Sequence, residues 1–172
     1  MESAPKPSAH GVADLPDMVR LRLSEEACAT DTTAIELVVS TADGWPALAH
    51  LSVGELLLGN DGLLRMALWR ASRTCAALAA EGRGSLFFAG PDQLLEIRIY
   101  VLAQALLETS KALTGFLMAP VQVRDKRAPY ATVTSGLQYR LHDAAIVHAA
   151  WHTTRNALAE LFPSQASEQT SS

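Results

Sequence analysis

The sequence predicts a mainly β domain, an antiparallel barrel with helical additions. Apolar, β-rich runs, about six in number, follow one another between turn signals, and most of their connections are too short for crossover helices. A single short Ala-rich helix, Thr74–Glu81, interrupts them. A parallel sheet would need about a dozen residues between successive strands, which this chain rarely supplies.

Composition sets the frame. The 172 residues are read as one domain, 14–162, between a tail 1–13 and a tail 163–172. A hydrophobic content of 49% argues against disorder, and a formal net charge of −4 argues against a nucleic-acid partner. Cys28 and Cys75 make neither a CxxC pair nor a disulfide framework, which suits a reducing compartment. The N-terminus lacks a basic segment followed by an apolar run, and no apolar stretch reaches the roughly 20 residues that span a bilayer. The expectation is a cytoplasmic protein with no membrane partner.

Asp14-Leu15-Pro16 resembles a helix start, and a helix is expected from Leu15 into Glu25–Glu26, although Val19, Leu21 and Leu23 also alternate as in a strand. Ala34–Ser40 and Trp45–Ser52 flank Asp43-Gly44, the best hairpin signal in the chain. Glu55–Leu58 and Leu63–Arg70 pair around Gly59-Asn60-Asp61-Gly62, whose residues tolerate positive φ. Gly82 and Gly84 end the Ala-rich helix. Ser85–Ala89 is a strand, and Leu94–Glu108 alternates as one, with helix the competitor over Ala103–Leu107. Ser110–Leu113 reads as a short helix or a turn. Gly115–Arg124 is a strand that Pro120 is expected to break. Asp143 then caps a final helix, in which Val147, Trp151, Thr154, Leu158 and Leu161 form one buried stripe before Pro163.

The turn Arg70–Thr74 concentrates chemistry. Arg70, Ser72, Arg73 and Thr74 place two guanidinium groups and two hydroxyls beside the free N–H groups of a helix start, a donor set suited to a phosphate. The plain alternative is a solvated turn in which Ser72 or Thr74 only caps the helix. His142, His148 and His152 invite a metal, but no HExxH pattern or third ligand accompanies them. A solvated helix face, with His148 and His152 beside Arg155, is the expectation, and no metal site. Cys75 stands at a helix start that favours a thiolate, yet no catalytic triad assembles around it, so it reads as a packing residue. Trp45 and Trp69 are candidates to stack on an aromatic ring, and Glu96 and Tyr100 to line a site; core packing competes for each.

The segments TADGWPALAHLSVGELL, DGLLRMALWRASRTCAAL and VTSGLQYR resemble, in order and spacing, the FMN-binding split-barrel group related to pyridoxamine 5′-phosphate oxidase. The resemblance covers about 15–140. It implies a six-stranded antiparallel split β-barrel with flanking helices, which forms a homodimer and holds FMN in clefts between subunits. In the oxidase a strand delivers the chain to a Ser-Arg-Lys turn that binds the FMN phosphate. Here the resemblance assigns that role to Ser72, Arg73 and Thr74, with Met66, Ala67, Leu68 and Trp69 as the preceding strand. Thr74 stands where the family has Lys, and Arg70 is a substitute cation. Glu96 falls near an oxidase Gln that helps hold FMN.

The departures are as informative. The oxidase's Arg-x-Val-Leu-Leu-Lys run corresponds to Leu48–Gly54 here, which lacks both cations, at Ala49 and Gly54. The oxidase's C-terminal substrate motif is also absent. The resemblance therefore implies an FMN-dependent oxidoreductase with a small-molecule redox partner rather than the oxidase reaction itself. Its alternatives are a non-catalytic flavin-binding dimer, or a relative that uses F420 or haem.

Overall fold

The computed structural model describes residues 11–164. Strands β1 (Ile35–Val39) and β2 (Ala47–Leu51) form the expected Asp43-Gly44 hairpin, in register from Ile35 opposite Leu51 to Val39 opposite Ala47. Gly44 sits at φ +84°, where a side chain would be strained. Strands β3 (Leu56–Leu58) and β4 (Leu64–Trp69) pair across the Gly59–Gly62 turn. Helix α3 (Arg73–Glu81) carries the chain over to β5 (Arg83–Gly90), which lies beside β1. Strands β6 (Gln93–Leu107) and β7 (Ser110–Asp125) then return to β4.

The result is one antiparallel sheet of order β2-β1-β5-β6-β7-β4-β3, curled into a half-barrel. It has seven strands rather than six, the short edge strand β3 pairing Leu56 with Met66 and Leu58 with Leu64 as the Glu55–Leu58 reading expects. The inner face buries Ile35, Leu37, Val39, Leu56, Leu64, Met66, Leu68, Leu86, Phe88, Ile97, Ile99, Phe116 and Met118. Burial on this scale, at about 25 cal/mol per Å² of apolar surface, is the main stabilising term.

Several local expectations change. The N-terminal helix divides into α1 (Asp17–Arg22) and α2 (Glu25–Cys28), because the Ser24 hydroxyl accepts from the Ala27 N–H at 3.3 Å and restarts the helix. Ala103–Leu107 stays in β6, and Ser110–Leu113 is the start of β7 rather than a helix. Cross-strand pairing decides both, with Leu106 opposite Thr114 and Leu107 opposite Ser110. Pro120 does not break its strand. It lies opposite Ile99 at a register shift, where Val121 is left over and a missing N–H costs no ladder bond. Its carbonyl accepts from the Ala13 N–H at 2.7 Å. The expected tails otherwise lie largely outside the described residues.

Helix α4 (Ala144–Leu161) starts as expected, with Asp143 accepting from the Ile146 N–H at 3.1 Å. Trp151 and Leu158 of the predicted stripe are buried, and Val147 packs on the main core. Leu158 and Ala157 meet Ala67 and Leu107 in a second apolar cluster. Arg155 departs from its expected solvated position. It is 5% exposed and donates to the carbonyls of Val53 (3.0 Å), Leu56 (2.6 Å) and Leu23 (2.8 Å). These bonds clamp α4 onto the 3-10 turn Val53–Glu55. Among the described residues no helix is long and apolar enough to cross a membrane.

Candidate functional site

Strand β4 ends at Trp69, and the chain turns immediately: the Arg70 N–H donates to the Ala112 carbonyl at 2.8 Å and the Ser72 N–H to the Trp69 carbonyl at 2.9 Å. Ser72 is the N-cap of α3, its hydroxyl accepting from the Cys75 N–H at 3.1 Å. The two readings of Ser72 are therefore compatible rather than exclusive. Its cap consumes one of the first N–H groups, and those of Arg73 and Thr74 have no partner among the described residues. Gly82 closes the helix at φ +67°.

Arg73 reaches back to the first hairpin. Its Nη2 donates to Asp43 Oδ2 at 2.8 Å, Asp43 Oδ1 at 3.0 Å and Thr41 Oγ1 at 3.3 Å. The Thr41 hydroxyl also lies against the Asp43 carboxylate and the Trp45 carbonyl, and the Trp45 N–H donates to Asp43 at 3.2 Å. Hydrogen bonds from Thr41 and Trp45, with the Arg73 charge, hold the Asp43 carboxyl below the ordinary aspartate value. The two motifs, DGWP and SRT, thus meet in space. Between them runs an open groove of about 370 Å³, lined by Thr41, Asp43, Arg73 and the small residues Ala76, Ala77 and Ala80.

The other assigned residues divide. Arg70 is exposed and makes no side-chain hydrogen bond among the described residues. Thr74 is buried at the base of the helix, and Met66, Ala67 and Leu68 turn their side chains into the two apolar clusters. Toward any ligand those three strand residues offer backbone. Strand β3 pairs only as far as Met66, so the corresponding edge of Ala67–Trp69 carries no strand partner. Trp69 is 62% exposed and Trp45 72%; neither is core.

Glu96 is elsewhere on the sheet. The turn end of β4 lies level with Leu106–Leu107 of β6, since Trp69 opposes Leu113 and Thr114 opposes Leu106. Glu96 sits near the opposite end of that strand, opposite Phe87 and Arg124. It accepts from Ser85 at 2.9 Å and Arg98 at 3.2 Å, with the Lys126 ammonium at 3.9 Å. Burial alone would raise its pKa, but these bonds and charges outweigh it and hold the carboxyl below the ordinary glutamate value. No hydrogen bond or ion pair among the described residues joins it to the Arg70–Thr74 turn within one chain.

Sequence reading missed three functional or positioning groups. Asp43 reads only as a turn residue, Thr41 carries no reading of its own, and Arg155 reads as a surface residue. Arg65 is a fourth group the sequence reading left out: 1% exposed, it bonds Asp61 twice at 2.7 Å and donates to the Phe162 carbonyl at 2.9 Å. Cys28, His148, His152, Glu25 and Arg155 line a separate pocket of about 190 Å³, where burial pushes the Cys28 thiol up. Among the described residues no three metal-ligating side chains come together as a metal site.

The position that lacks a cation by resemblance has a steric explanation. A Cβ on Gly54 would stand 1.9 Å from Cγ of Trp151, so the indole of α4 fills the space over that backbone. A lysine cannot occupy it while α4 is docked. The donor types at the α3 start, by contrast, suit a phosphate monoester: the turn carries two exposed arginines, Arg70 and Arg73, beside two free helix N–H groups.

No family model matches the chain. It is 28% identical over 123 residues to the uncharacterized protein YclD of Bacillus subtilis (strain 168), which spans 70% of this chain and 79% of YclD. Similar solved structures include the styrene monooxygenase flavin reductase SMOB of Pseudomonas putida S12, at 9% identity and TM-score 0.49 over 67% of this chain and 94% of that one. An FMN-binding protein of Syntrophomonas wolfei subsp. wolfei is similar at 14% identity and TM-score 0.48, over 65% and 89% of the two chains.

Proposed function

We propose that this protein binds FMN, anchoring its phosphate at the Arg70–Thr74 turn, and that it works as a homodimer in a flavin-dependent redox reaction. The observation that carries this reading is the meeting of DGWP and SRT at Arg73, beside a helix start with unpartnered N–H groups. Ser72 shapes the helix start, Arg73 supplies the charged fork and Arg70 a second, unengaged guanidinium. The backbone edge of Ala67–Trp69 is the support for the flavin beyond its phosphate. The separation of Glu96 from the turn within one chain favours a dimer, in which a second copy brings its outer sheet face toward the first copy's turn. FMN supplies the electron transfer when bound.

The test is direct. The purified protein should be yellow, and Arg73→Ala should weaken FMN binding by about 1.5–3 kcal/mol, the value of a charge-assisted hydrogen bond. A protein that takes up no FMN on titration overturns the reading. Reduction of bound FMN by reduced nicotinamide then tests the redox role.

A second reading is favoured by one observation: Trp151 occupies the space over Gly54. This supports a flavin-binding dimer without the oxidase's chemistry. A protein that saturates with FMN but neither reduces nor reoxidises it would establish that reading. Parallel titration with F420 and haem separates the remaining cofactors.

A further inference from the structure

The sequence assigns no role toward a ligand to Asp43, yet Asp43 makes the shortest contact with the arginine at the centre of the site. We propose that Asp43 is the positioning residue of that arginine: its carboxylate grips Nη2 of Arg73 and leaves Nε and Nη1 free to donate, one bond each, to the flavin phosphate. The proposal rests on the FMN reading above.

Three features of the geometry support it. All three side-chain hydrogen bonds of Arg73 are made by one nitrogen, Nη2. Nε and Nη1 have no partner among the described residues, and each remains able to donate a single charge-assisted hydrogen bond to a phosphate oxygen. Asp43 is itself held by the Thr41 hydroxyl and the Trp45 N–H, so the grip is anchored to a hairpin turn. The pair joins the β1–β2 turn to the first residue of α3 and borders the groove where a bound molecule would lie.

The two charges act in opposite senses on a phosphate. The Asp43 carboxylate repels it, but Asp43 is 60% and Arg73 57% exposed, so water screens that repulsion. A free arginine on an exposed helix start would be ordered only on binding, at a cost in rotamer freedom. Holding Nη2 in advance removes part of that cost. The proposal requires the positional gain to exceed the screened repulsion, and the affinity of Asp43→Ala decides it.

The experiment compares dissociation constants for FMN and riboflavin by flavin fluorescence quenching in the wild type, Arg73→Ala, Asp43→Ala, Asp43→Glu and the Arg73/Asp43 double alanine variant. Thermal denaturation of each variant monitors the fold. Asp43→Ala should weaken FMN binding about two- to tenfold, the cost of ordering one long side chain, and leave riboflavin binding unchanged. Asp43→Glu should recover part of the loss, and the double variant should bind FMN no more weakly than Arg73→Ala alone. Unchanged or tighter FMN binding by Asp43→Ala overturns the proposal, as does a parallel loss for riboflavin. If Arg73→Ala itself leaves FMN affinity unchanged, the phosphate reading fails as well. A loss with Arg73→Ala but none with Asp43→Ala overturns the positioning role alone.

Discussion

Gly54→Ala tests the contact by which α4 closes over the 3-10 turn Val53–Glu55. The added methyl would stand 1.9 Å from Trp151 Cγ, 2.3 Å from its Cβ and 2.4 Å from Cδ1. Ordinary contact begins at 3.4 Å, so the ring and the methyl must separate by about 1.5 Å. Neither partner moves freely. Trp151 is 9% exposed and packed in the main core, and Arg155 one turn later ties α4 to the carbonyls of Val53 and Leu56 that flank the glycine. Overpacking costs about 1–3 kcal/mol, and loosening the clamp adds about 1 kcal/mol for each hydrogen bond weakened. The expected destabilisation is therefore about 2–4 kcal/mol, read as a fall in the urea midpoint at constant slope. Trp151→Ala removes Cγ and Cδ1, two of the three atoms the methyl would meet, so Gly54→Ala made in that background should cost less, with a coupling of about 1–3 kcal/mol. A single variant within about 0.5 kcal/mol of wild type, or additive losses in the double, would refute the close-packing argument.

Other expectations follow from the buried polar groups. Arg155→Met should lose about 3–5 kcal/mol in urea denaturation, because three backbone carbonyls are left without their donor. Ser72→Ala should cost about 1 kcal/mol of stability through the lost cap of α3, measured by thermal denaturation with or without flavin. Glu55 is held by Ser52 but its burial dominates and raises its pKa. A raised folded value means stability present below the ordinary glutamate pKa and lost as pH rises through the folded one. Glu55→Gln should therefore flatten the stability curve above about pH 4.5, and an unchanged pH dependence would contradict this. Asp61 has the opposite sign: burial would raise its pKa, but Arg65 bonding outweighs it and lowers it. Its contribution is present above about pH 4 and lost as pH falls, so Asp61→Asn should weaken the acid dependence of unfolding.

Local signals were legible where chemistry and structure are both local. Asp43-Gly44 and the Gly59–Gly62 turn each specified a hairpin because their residues accept positive φ. Asp143 and Gly82 marked a helix start and a helix end through hydrogen bonds reaching no further than one turn. The alternation in Leu94–Tyr100 announced β6. Ala103–Leu107 and Ser110–Leu113 were ambiguous, since their side chains lack strong β preference and only the paired strand decides their state. The split of α1 from α2 at Ser24 was a cap inside an expected helix, a competition that pattern alone does not resolve.

For the site, residue types alone marked Arg70–Thr74 as a donor-rich turn before a helix. That much is chemistry of five consecutive residues. The partner of Arg73 lies 30 residues earlier in the chain, and a turn aspartate looks the same whether or not an arginine reaches it. The burial of Arg155 was equally invisible, because its carbonyl partners stand 99, 102 and 132 residues away. Sequence by itself determined the antiparallel hairpin architecture, the helix caps and the location of the donor turn, all set by neighbours along the chain. Only the tertiary structure decided which face Arg155 and Arg65 occupy, that Trp151 covers Gly54, and that Asp43 grips Arg73. Those contacts depend on how distant segments are brought together by burial of a shared apolar core, which no local pattern encodes.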